Sequence, residues 1–147
     1  MSERRAQTFP RRDDAGRVIS LAEMLAATAA GLVLGFVALL VIDGVFALIG
    51  LGSFGNASGW LALILPIMLF VDDFRGWRTA GWRRIVVGLV AAGLSLAAGL
   101  LAANLARSLP GLVSGAIGAV VFGLIYAVIW FVWIRWISGQ VVEGDER

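Results

Sequence analysis

Four long apolar runs, separated by short polar breaks, fill the chain from about residue 21 to about residue 137. A hydrocarbon core of about 30 Å takes roughly 20 apolar residues per helical crossing, and irregular backbone cannot face lipid because its amides would go unbonded. The runs therefore predict an all-α integral membrane protein: four transmembrane helices, over about 21–48, 58–74, 80–105 and 109–137, in an antiparallel bundle. At 147 residues, 60% of them hydrophobic and 15% charged, little chain is left for a separate soluble domain. A polar, basic arm at 1–19 and an acidic tail at 138–147 flank the bundle.

The breaks carry helix punctuation. Ser20-Leu21-Ala22-Glu23 has the form of a capping box, in which the Ser20 hydroxyl accepts from the Glu23 amide and the Glu23 carboxylate returns to the Ser20 amide. The glycine-rich stretch Gly50 to Asn56 ends the first helix, and the second is short and interrupted by Pro66. Thr79 is placed to cap the third helix; Ser108 is placed to cap the fourth, with Pro110 in its first turn. The arm, with Arg4, Arg5, Arg11, Arg12 and Arg17, reads as flexible. The apolar run behind it is too long for the core of a secretory signal, so the arm is expected to be retained.

Arginine placement predicts orientation. The arm holds five and the break between the second and third helices holds Arg75, Arg78, Arg83 and Arg84, whereas the other two breaks hold only Arg107. Positive charge concentrates on the cytoplasmic side, so both termini are expected there. Trp77, Trp82, Trp133 and Trp136 fall at the same boundary, and with the four arginines they are the expected anchors to anionic lipid headgroups. Trp60 would anchor the opposite side. The basic set is all arginine, which together with abundant Ala, Gly, Val and Leu points to a GC-rich bacterial genome and the inner membrane. The arginines lie beside apolar spans with no aromatic-interleaved basic surface, so lipid and not nucleic acid is their expected partner.

Small residues recur every fourth position at Ala91, Ser95, Gly99 and Ala103 in the third helix, and at Gly111, Gly115, Ala119, Gly123 and Ala127 in the fourth. Such stripes let membrane helices approach closely and gain dispersion and Cα–H···O contacts. An antiparallel hairpin turning near Leu109 would pair Ala103 with Gly115, Gly99 with Ala119, Ser95 with Gly123, and Ala91 with Ala127. A shorter stripe, Ala27, Gly31 and Gly35, is left for a further helix or for a partner, either another membrane protein or a second copy of the chain.

Few polar groups invite chemistry. Asp43 lies on an apolar run, where an acid is a candidate for ion or proton handling; Gly44 and the loop soon after favour a place at the outer interface instead. Asn104 and the Pro66 break are the other candidates for a polar path. Asp72 and Asp73 with Arg75 and Arg78 read as a solvated, mutually neutralising loop. With no cysteine or histidine, thiolate and imidazole chemistry is excluded, and no cofactor, metal or catalytic residue is expected. The stretch Gly50-Leu51-Gly52-Ser53-Phe54-Gly55 matches G-x-G-x-x-G only by accident, since it follows a membrane span.

In size and helix count the chain is similar to small multidrug transporters, fluoride channels and flippases of lipid-linked sugars, without matching any residue by residue. The mid-membrane glutamate of the small multidrug transporters has no counterpart, because Glu23 sits at a helix end. The expected function is that of a non-enzymatic accessory, assembly or scaffold subunit of a larger envelope complex. The alternative is a small homo-oligomeric transporter or channel for an ion, small molecule or lipid-linked substrate.

Overall fold

A computed structural model describes residues 9–144, apart from the side chains of 79 and 139–144. The arginines at positions 4 and 5 and the charges of the acidic tail lie outside the described residues. The fold is all-helical: α1 (Leu21–Leu48), a 3-10 turn (Gly59–Leu63) leading into α2 (Ile64–Gly76), a second 3-10 turn (Arg78–Ala80), α3 (Arg83–Leu105) and α4 (Gly111–Gly144). Three of these helices, α1, α3 and α4, are long and apolar enough to cross a membrane. The protein is thus a multi-pass membrane protein.

Local chemistry sets the boundaries. Ser20 caps α1, its Oγ accepting from the Glu23 amide at 3.2 Å. At the far end Gly50 takes φ +77°, and the Leu51 and Gly50 amides reach back to the Phe46 and Ala47 carbonyls, a Schellman closure that a side-chain-bearing residue at Gly50 would strain. Pro66 does not interrupt a helix. It is the third residue of α2, where its missing N–H costs nothing, and the five residues of 3-10 turn before α2 avoid an α-type bond from position 66 to the Ala62 carbonyl.

Two other starts differ from expectation. Gly81, at φ +57° and ψ −137°, holds a backbone shape closed to other residues, so α3 begins only after it, at Arg83, behind Trp82 and without a side-chain cap. Ser108 does not cap α4 either. The Pro110 carbonyl accepts from Val113 and Ser114, and the Leu112 amide is met at 3.0 Å by the Gly55 carbonyl, from the loop after α1. At its other end α4 continues past 137 to Gly144.

α4 is the hub. It makes its most extensive contact with α3, and on its other side it meets the first 3-10 turn and α1. The antiparallel α3–α4 hairpin forms, but the two small-residue stripes do not face each other. A Cβ built on Gly99 would lie 2.8 Å from the Gly118 carbonyl, and one on Gly118 would lie 3.1 Å from the Ala103 Cβ. The stripe through Gly115 and Gly123 turns the other way. A Cβ on Gly115 would meet the Gly59 amide at 2.8 Å, and one on Gly123 would meet Thr28 at 3.3 Å and Leu32 at 3.4 Å. Ala119 packs with Leu32 and Leu63, and only at Ala127 is the face shared, in a cluster with Met24 of α1 and Val87 of α3.

The reason is steric. The 3-10 turn is wedged between α1 and α4, its Gly59 lying so close to the backbone of Leu112 and Ala116 that a Cβ there would fall 2.0 Å from the Leu112 carbonyl. On its other flank the Ala62 carbonyl would be 2.6 Å from a Cβ on Gly35. Gly31 likewise lies against the Pro66 ring. The smallest face of α4 is spent on this backbone-to-backbone wedge, and α3 packs on the adjoining face. The α1 stripe is consumed within the chain as well.

Candidate functional site: two buried carboxylates

Each end of the bundle holds one buried acid. Asp43, 7% exposed, lies in the last turns of α1 and accepts from the amides of Gly55 and Ala57, the latter at 3.3 Å. Gly55, at φ +90°, then offers its carbonyl to the α4 start. Asp43 therefore holds the loop that caps α4. The same loop covers it.

Asp73, 2% exposed, is the site that sequence reasoning missed. It is not part of a solvated loop. Its Oδ1 accepts from the Val18 amide at 2.7 Å, and its Oδ2 accepts from the indole N–H of Trp130 at 2.7 Å and of Trp77 at 3.2 Å. Two segments distant in sequence, those of Val18 and Trp130, thus close on one carboxylate of α2. Only Asp72 of the adjacent acidic pair faces outward, 3.8 Å from Arg75. Trp77, expected at the headgroups, is 6% exposed because its indole is drawn inward to Asp73. One local signal for this existed, since Asp73 and Trp77 are four residues apart and share a helix face. Trp130 carried none.

Arginines brace the same end. Arg135 donates to the Val18 carbonyl at 2.6 Å and to the Ile19 carbonyl at 3.2 Å, and its guanidinium sits 4.2 Å from the Phe131 ring centre. Arg17 lies 4.7 Å over the Trp77 ring. The described part of the basic arm is consequently not a free tail. Arg12 and Val18 pair across a tight turn, Val18 is buried, and Gly76 of α2 leaves room for the backbone at Ala15 and Arg17. Within the turn, partial burial raises the Asp13 carboxyl, but the Arg17 amide and guanidinium and the Ala15 amide outweigh it and hold the group below its ordinary value.

Glu23 makes only half of its box. Its carboxylate is taken by the Arg11 amide at 2.9 Å and by the Arg11 guanidinium, so it ties the arm to α1 instead of returning to Ser20.

The candidates for a polar path do not converge. Asp43 is held by its loop; Pro66 packs on Gly31, twelve residues or about 18 Å back along α1; Asn104 is exposed at the end of α3. Among the described residues no three acidic side chains gather.

The anchoring residues divide. Trp82, Trp133 and Trp136 are exposed, as are Arg75, Arg78 and Arg83. Arg84 is half-buried, with its guanidinium 4.7 Å over the Phe74 ring and one N–H on the Phe74 carbonyl at 3.3 Å. Trp60 does not anchor the opposite side. Its ring fills the space over Gly99 and Gly118, against the edge of Phe122. Comparison with known protein families, curated proteins and solved structures found no match.

Proposed function

We propose that the protein is a non-enzymatic accessory, assembly or scaffold subunit of a larger complex in the bacterial inner membrane, crossing four times with both termini cytoplasmic. The observation that carries this reading is the use of both buried carboxylates, Asp43 and Asp73, to hold the chain's own amides and indoles, which favours a structural over a transport role.

The fourth crossing is supported by length. Five residues of 3-10 turn and thirteen of α2 add up to about 30 Å at rises of about 2.0 and 1.5 Å per residue, enough to traverse the hydrocarbon. The arginine asymmetry supports the orientation. A surface for a partner is offered by the side groove of about 500 Å³ between α1 and α4, walled by Val33, Phe36, Val37, Ile117, Val120 and Leu124, and side chains of a transmembrane helix of another protein are its proposed occupants.

Photo-crosslinking from position 120 in native membranes, followed by mild-detergent purification and mass spectrometry, tests the reading. A single stoichiometric membrane partner, captured from 120 but not from position 100 on the exposed side of α3, is the expected result. A discrete homo-oligomer whose liposome flux is abolished by Asp43→Asn would overturn it in favour of a transporter.

A further inference from the structure

On the opposite side of the molecule, α2 and α3 scarcely touch. Between them opens a crevice of about 320 Å³, walled by Val71 and Phe74 of α2 and Leu89 of α3 and floored by Phe122 and Tyr126 of α4. Gly88 keeps it deep, because even a Cβ there would meet Trp130 at 3.6 Å and Phe74 at 3.7 Å. Of the walls, Val71 and Leu89 are exposed, so the crevice opens to the side of the bundle. From Ile67 to Phe74 it follows α2 for about 10 Å, which is the direction of acyl chains on the four-crossing arrangement proposed above, on which this inference rests.

One end of this apolar slot is charged. Arg84 lies over the ring of Phe74, a wall residue, and spends one N–H on the Phe74 carbonyl; its Nε is buried without a hydrogen-bond partner. Among the described residues no carboxylate comes within ion-pair distance of Arg84. The acids nearest in sequence are committed elsewhere, Asp73 to Val18, Trp77 and Trp130, and Asp72 to Arg75. Arg78, exposed in the 3-10 turn between α2 and α3, adds to the positive charge, whereas Arg75, in the last turn of α2, is offset by Asp72. A guanidinium with spare donors suits a phosphate, which it can meet with two parallel N–H bonds.

We infer that the α2–α3 crevice is a binding site for an anionic phospholipid, with one acyl chain lying between Val71 and Leu89 and the phosphate held by Arg84. The apolar slot and the uncompensated arginine at its end are complementary to the two parts of that one molecule. A free phosphate would use only the second, and a zwitterionic lipid carries its own cation to the arginine. The site lies away from the α1–α4 groove, so it stands or falls independently of the proposed partner.

Native mass spectrometry of the full chain in mild detergent, titrated with dioleoyl phosphatidylglycerol or dioleoyl phosphatidylcholine, tests this. The first bound lipid is expected to favour phosphatidylglycerol by about fivefold, the worth of roughly one arginine at the headgroup level. Arg84→Gln should remove most of that preference and Arg84→Lys should keep part of it. Leu89→Trp, on an exposed wall where folding does not depend on it, should fill the slot and lower binding of both lipids; its integrity is checked by thermal melting. Millimolar inorganic phosphate should not displace the lipid. Equal binding of the two lipids, unchanged binding in a folded Leu89→Trp protein, or displacement by inorganic phosphate would each overturn the site.

Discussion

The two buried carboxylates close the bundle at opposite ends by different means. Asp43 takes its donors from Gly55 and Ala57, twelve and fourteen residues ahead, so it pins a loop that the chain has only just made. Asp73 takes one donor from its own helix and two from residues fifty-five and fifty-seven positions away, so it can be satisfied only once α2, α4 and the segment before α1 have met. Where apolar burial gives helices little reason to associate, such a long-range polar clasp specifies which helix ends belong together. The Asp43 end depends more on close packing: Gly59 against Leu112 and Ala116, Gly35 against Ala62, Gly99 against Gly118.

The largest effect should come from Asp73→Ala. It strands a buried amide and two buried indole N–H groups, and unfolding titrations in mixed micelles should show a loss of about 3–5 kcal/mol. Gly59→Val ranks next, at about 3 kcal/mol or outright misfolding, because there is no space for any side chain beside Leu112, and neither neighbour can yield without moving backbone. If Gly59→Val were tolerated as well as Gly52→Val, in the open loop, the wedge between α1 and α4 would be wrong.

Asp43→Asn should cost less, about 1–2 kcal/mol, since the amide keeps one acceptor and turns a donor toward a donor. Its signature is local: hydrogen exchange should quicken at Gly55, Ala57 and Leu112 and stay unchanged at Val18. Exchange that also rises at Val18 would erase the contrast between the two ends.

The smallest effect concerns acid. Asp13 is held below its ordinary value of 3.8, so its contribution is fully present above that pH and is lost as pH falls through the lower folded value. Asp13→Asn should remove a small destabilisation on the acid side while leaving the protein at neutral pH slightly weaker, read as thermal melting between pH 3 and pH 7.

Much of the helical frame was legible because it rests on local chemistry. Ser20 caps where a capping residue precedes an apolar run, Gly50 ends α1, and the short break near Pro110 forces α3 and α4 into a hairpin. Gly81 was legible in principle but was outweighed by Thr79, a better-known start signal. The facing of α4 was not legible. Its small stripe fits α3 as well as it fits the 3-10 turn, and the choice depends on how near Gly59 comes, a tertiary fact. Asp73 was hidden for the same reason: in Asp72-Asp73-Phe74-Arg75 either acid can turn inward, and the partner that decides it, Trp130, lies in the last helix.

The clasp itself is best tested by a double-mutant cycle between Asp73→Asn and Trp130→Phe, measured as unfolding free energy in mixed micelles. A direct hydrogen bond between the Trp130 indole and the Asp73 carboxylate gives the pair a coupling of about 1–3 kcal/mol, with the double variant less destabilised than the sum of the single ones. Additivity within about 0.3 kcal/mol would mean that the two residues do not meet, and that Asp73 does not hold this end of the bundle together.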